Sequence, residues 1–214
     1  MMLSLLLALL IFCAFWLSRL FSVPAYYIQP EPISDRQVSR YLSNKLIPEL
    51  HNKSQYGLPF DYVITQKGVS DIIARHADFE AIRRSGFKDI TVVFVPEEIL
   101  LMSKTRYLHM DLIVTAAIEP GIDSAGRLFL KSGAIKLGRS KIPFASDVAK
   151  KRLLQNFDSF FSEANFAEAL TAVQSLLNEE HIEPVLRING NNIRAEKITI
   201  DHQKLTIHFV PEGD

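Results

Sequence analysis

The sequence predicts an α+β fold: an N-terminal transmembrane helix, then an antiparallel sheet packed on one or two long amphipathic helices. Three observations predict it. Residues 1–21 carry no charged side chain except Arg19. Apolar residues then recur at helical spacing on either side of a block that alternates with a period of two, and a second alternating block closes the chain.

The opening run has no polar face to turn toward water, and roughly 20 helical residues cross a bilayer core. Arg19 stands near its end, where a long stem carries the guanidinium out to the headgroups. Trp16, Tyr26 and Tyr27 fall where aromatic rings settle at the interface. Residues 1–25 therefore read as a transmembrane anchor or signal segment. Val23-Pro24-Ala25 leaves a cleaved signal open as the rival, whereas the missing basic n-region favours retention. Cys13 lies inside the apolar run behind bulky Phe12, which disfavours a lipoprotein. One arginine is a poor guide to orientation. Prolines at 24, 30 and 32 mark residues 26–33 as a linker, leaving 34–214 as a single α+β domain.

The 24 basic and 24 acidic side chains balance, so the basic footprint of a nucleic-acid protein is missing. Cys13 is the lone cysteine, which excludes disulfides and cysteine-based zinc sites from the domain and leaves the redox compartment open.

Ser34 or Asp35 caps a first helix with Val38, Tyr41, Leu42 and Leu46 on one stripe, and Pro48 ends it. Ser70 caps a second, carrying Ile72, Ile73, His76, Phe79 and Ile82 and stopping at Gly86. Residues 90–95, 108–118 and 127–137 read as strands, the last two joined through Pro120-Gly121 and Asp123–Gly126 as antiparallel neighbours. Beyond Pro143 the pattern is helical and rich in phenylalanine. Val148, Leu153, Phe157, Phe160 and Phe161 form one apolar face, and Phe166, Leu170, Val173, Leu176 and Leu177 continue it. Strands at 185–188, 193–200 and 205–210 complete the chain, with Asn189-Gly190-Asn191 as a turn.

Chemical signatures are sparse. Gly133 to Ser140 has the glycine spacing of a phosphate loop, but Arg139 stands in place of the lysine and the flanking pattern is strand, so a strand ending in a turn is the better reading. The histidines at 51, 76, 109, 181, 202 and 208 are scattered singly, without a helical pair to hold a metal. Glu97-Glu98 reads as solvated charge after Pro96. No catalytic residue, metal or cofactor is assigned. Lys150, Lys151 and Arg152 form a dense basic patch suited to a membrane surface, with a solvated helix shoulder as the plainer explanation.

The segments ISDRQVSRYLSNKL (33–46) and SAGRLFLKSGAIKLG (124–138), the link Ser140-Lys-Ile-Pro143 into a helix, and the closing strands from 193 to 209 together resemble a known group. The chain is similar to small membrane-anchored bacterial envelope proteins of the YpmS and YceB types, which are similar to the tubular lipid-binding (TULIP-like) fold. That resemblance implies a strongly curved sheet wrapped around a long helix, with an apolar groove between them. It supplies no catalytic residues.

The expectation is a non-enzymatic, membrane-anchored, extracytoplasmic envelope domain that binds a lipid or other apolar ligand. Its groove is expected to be lined by Val148, Leu153, Phe157, Phe160 and Phe161, with Lys150, Lys151 and Arg152 toward the membrane. The alternative is a scaffold or assembly subunit that docks an envelope protein partner.

Overall fold

The computed structural model describes residues 11–12, 15–16, 18–29, 38–107, 110–141 and 180–212. A π-helical stretch, Leu42–Leu46, runs into α1 (Ile47–Ser54). Next come β1 (Phe60–Thr65), α2 (Gln66–His76), α3 (Phe79–Arg84), β2 (Thr91–Val95), β3 (Glu98–Tyr107), β4 (Met110–Ile122), β5 (Leu128–Leu137) and the short β6 (Ser140–Lys141). The chain closes with β7 (Val185–Ile188), β8 (Asn191–Asp201) and β9 (Lys204–Pro211).

The α+β class holds, but the strands divide into two antiparallel sheets instead of one. The five-stranded sheet runs β2-β3-β4-β5-β6, each strand beside its sequence neighbour, and the four-stranded sheet runs β1-β9-β8-β7. In the second sheet Phe60 pairs with Phe209, and Tyr62 with Ile207, so its edge strand comes from the other side of the first sheet in sequence. Each sheet carries one irregularity, between Ala116 and Ile118 on β4 and between Ala195 and Lys197 on β8. An extra residue at such a point bends its strand and strengthens the local twist.

Local chemistry explains where the helices differ from expectation. Pro48 does not end a helix; it occupies the first turn of α1, where its missing N–H is not needed. Thr65, not Ser70, caps α2, because it leaves β1 extended and its hydroxyl accepts the Gly68 N–H at 3.2 Å. Asp78 restarts the chain as α3 by accepting the N–H groups of Glu80 and Ala81 at 3.0 and 2.9 Å. Gly86 follows that helix with φ of 92°, a conformation suited to glycine, so the stop falls where expected.

The sheets meet at a seam of Val92 and Phe94 from β2, Ile73 from α2 and Ile200 from β8. Backbone bonds stitch the same seam: Glu97 N–H to the Ile200 carbonyl and Gln203 N–H to the Phe94 carbonyl, both 3.1 Å. The opposite face of the five-stranded sheet holds Val93, Leu100, Met102, Ile113 and Ala117, with Tyr27 packed on them. Tyr62, Ile193, Ala195 and Phe209 form the core of the four-stranded sheet.

Among the described residues no helix is long and apolar enough to cross a membrane. Most of the run from 1 to 21 lies outside them, as do the helices expected between 144 and 177.

Phe94 is 4 % exposed at the seam. Phe94→Ala is expected to lower the unfolding free energy by about 3–5 kcal/mol, through lost burial and the cavity left behind, as measured by urea titration. A loss below about 1 kcal/mol would show that the sheets do not depend on one another there.

Candidate functional site

One face of the five-stranded sheet presents Leu101 opposite Ala116 and Ser103 opposite Val114. Beyond the end of α3 this face opens into a small cleft of about 40 Å³, lined chiefly by Ile82, Phe87, Ile90, Leu101, Val114 and Ala116. Asp89 and Ser103 also reach its wall. Their hydrogen bonds are already used internally. The Asp89 carboxylate accepts the Tyr27 hydroxyl at 2.5 Å and the Lys104 N–H at 2.8 Å, while the Ser103 hydroxyl donates to the Asp89 carbonyl. The cleft therefore offers an apolar wall, the chemistry that holds hydrocarbon.

Behind the same strands, residues expected to be a free linker rest on the sheet. Tyr27 packs on the Val93–Leu100–Met102 cluster, and the Ile28 carbonyl accepts the Thr91 hydroxyl at 3.2 Å. The Lys104 ammonium lies 6.0 Å from the centre of the Tyr27 ring and donates to the Gln29 side chain at 3.2 Å. Burial, and then the bond to Asp89, push the Tyr27 hydroxyl well above its ordinary pKa, so it stays a donor. Asp89 is 6 % exposed, and a carboxylate that deep needs both of its donors.

A second polar cluster braces the β4–β5 turn. Asp123 accepts the backbone N–H groups of Ala125 and Arg127 at 2.9 Å, the Arg127 Nε–H at 3.1 Å and the His181 ring Nδ1 at 2.7 Å. His181 stacks on Phe129, with ring centres 5.7 Å apart. Next to it Leu128 and Ile182 exchange backbone bonds of 2.8 and 3.0 Å, returning the chain to the sheet. The Arg127 N–H, followed by His181, holds the Asp123 carboxyl far below the usual range. With so many donors engaged, this carboxylate acts as an ionised brace.

Of the residues singled out from sequence, Val148, Leu153, Phe157, Phe160 and Phe161 lie outside the described residues, as do Lys150, Lys151, Arg152 and His109. Gly133 to Leu137 is strand and Gly138-Arg139 a turn, as read. His51 contacts Asn189 at 2.7 Å, and His208 contacts Asp61 at 2.7 Å. No group of three His, Cys, Asp or Glu side chains suited to a metal occurs among the described residues. Glu97 forms the β2–β3 turn with φ of 69°. Sequence reasoning missed the cleft residues and the Tyr27–Asp89 bond. The available signal was the unbroken apolar run Ile99 to Met102, which marks a strand apolar on both faces.

Compared with known proteins, the chain matches no family model, no curated protein and no solved structure.

Tyr27→Phe keeps the ring and removes the hydroxyl donor, and is expected to cost about 1–3 kcal/mol in urea titration because Asp89 stays buried with fewer partners. An unchanged midpoint would dissociate residues 18–29 from the domain's stability. Asp123 has its pKa depressed on folding, so its stabilisation is present at neutral pH and fades as pH falls through and below the unfolded value near 3.9. Asp123→Asn should lower the melting temperature at pH 7 and flatten its decline between about pH 5 and pH 2. Parallel melting profiles for the two proteins over that range would contradict the brace.

Proposed function

We propose that the chain is a non-enzymatic, membrane-anchored envelope domain, held outside the cytoplasm, that shelters a lipid or another apolar ligand against its five-stranded sheet. The observation that carries the membrane part is the exposure of Ile11, Phe12, Phe15 and Trp16, at 62 %, 63 %, 58 % and 46 %. These four helical side chains are largely exposed among the described residues, with only the Arg19 guanidinium over the Phe15 ring. Water is a poor solvent for such a patch, whereas hydrocarbon accepts it without cost.

The ligand part is supported by the cleft of Ile82, Phe87, Ile90, Leu101, Val114 and Ala116, whose neighbouring polar groups are internally satisfied. The extracytoplasmic side and the envelope setting follow from the resemblance to membrane-anchored envelope domains, in which a curved sheet and a long helix enclose the ligand. An anchor ending near residue 21 puts the cleft within reach of the bilayer, since Tyr27 is already seated on the sheet.

Ala116 is half-buried at the cleft wall, so Ala116→Phe is expected to fill the space without unfolding the domain. Full-length protein purified from membranes in mild detergent should retain an acyl-bearing lipid, detected by extraction and mass spectrometry. The variant should retain at least about tenfold less, equivalent to ~1.4 kcal/mol. Equal lipid on the two proteins, with equal melting temperatures, would defeat the ligand reading.

A further inference from the structure

We infer that the β5–β6 turn is a binding surface for anionic lipid headgroups, set against the bilayer by the end of the apolar segment; this rests on the membrane-anchored reading above. The Arg139 N–H donates to the Arg19 carbonyl at 2.9 Å, joining the turn to the last charged point of the N-terminal run. At Gly138, φ is 56°, and a Cβ placed there would stand 2.1 Å from the Leu20 carbonyl oxygen. No larger residue fits that approach, so the contact between the anchor's end and the turn is built into the backbone.

Four cations gather at this point against one nearby acid, Glu98, which acts with Arg139 on the Tyr26 hydroxyl. Lys136 and Lys141 are direct cross-strand partners, so they stand on one face of the hairpin, with Arg139 in the turn between them and Arg19 alongside. Like charges directly opposite one another weaken a strand pair. Arg139 and Lys141 are exposed, and Lys136 is half-buried. Among the described residues none of the three has an acidic partner. Elsewhere on the same sheet the cations are matched: Lys88 with Asp111 at 2.5 Å, Lys131 with Glu119 at 2.9 Å and Arg127 with Asp123 at 3.0 Å.

An anionic surface resolves that imbalance. With Ile11 to Trp16 in hydrocarbon, Arg19 lies at headgroup depth, and the hydrogen bond to Arg139 brings Lys136 and Lys141 to the same level. Trp16 and Tyr26, 46 % and 37 % exposed, flank the level where aromatic rings settle. Each cation near a negatively charged leaflet raises partitioning about fivefold, an attraction that salt screens. The consequence is a domain held in one orientation on the bilayer, with the β5–β6 turn down, instead of one swinging on a tether.

The test uses the full chain with Cys13→Ser and a single fluorophore at Ser140→Cys or, as the distant control, at Asn189→Cys in the β7–β8 turn. The protein is reconstituted into vesicles of phosphatidylcholine alone or with phosphatidylglycerol, each carrying a headgroup quencher. In phosphatidylglycerol vesicles, quenching at 140 should exceed that at 189 by at least about twofold, and should fall to the control level in high salt or in Arg139→Glu/Lys141→Glu. Circular dichroism melts of that double variant confirm that the fold is kept. Equal quenching at 140 and 189 in protein that floats with the vesicles, or quenching at 140 indifferent to lipid charge and to the double variant, overturns this inference and leaves membrane attachment standing. Protein that floats with neither vesicle overturns the attachment and the inference with it.

Discussion

The molecule depends on the seam where Phe94 and Val92 meet Ile73 and Ile200. An antiparallel sheet has two faces, and one that is apolar on both needs cover on both. The four-stranded sheet and α2 cover one end of the five-stranded sheet, and Phe94 is the largest side chain committed to that contact. Removing such a ring takes apolar contact from both sheets at once, because Phe94 packs with residues of both in one cluster.

The cover stops short, and the cleft follows from where it stops. α3 is only six residues long, closed off by Ser85 and the left-handed Gly86, so the strands beyond it keep Leu101, Val114 and Ala116 facing an open space. The opposite face at the same level is closed by Tyr27 and Asp89. That asymmetry leaves one wall of the sheet covered and the other partly open. It also explains why a buried carboxylate is tolerated beside the cleft: Asp89 turns toward Tyr27 and the Lys104 N–H, leaving the cleft wall largely apolar.

The N-terminal segment is bound into this architecture at two points. Residues 18–29 lead from the exposed side chains of Ile11, Phe12, Phe15 and Trp16 onto the sheet, fixed by Arg139 at one end and by Asp89 and Thr91 at the other. Two separate attachments across a short segment leave little freedom to rotate. The position of the sheet relative to residues 18–29 is thus set by hydrogen bonds within the protein.

Sequence alone determined the α+β class, the Gly86 helix stop, strands near 90–95, 108–118, 127–137, 185–188, 193–200 and 205–210, and the unusual apolarity of residues 1–21. Each of these is a local property, written in periodicity, turn residues or composition within a few positions. Tertiary structure decided the rest. β3 escaped notice because Ile99 to Met102 is apolar on both faces and shows no alternation, and β1 because its partner β9 lies far along the chain. Tyr27 looked like linker until Asp89, distant in sequence, supplied its acceptor. The apolar pattern of a segment shows that it seeks a partner, while the identity of that partner depends on chain closure and packing among residues far apart. For that reason the division into two sheets, the cleft and the seating of the N-terminal segment belong to the folded molecule.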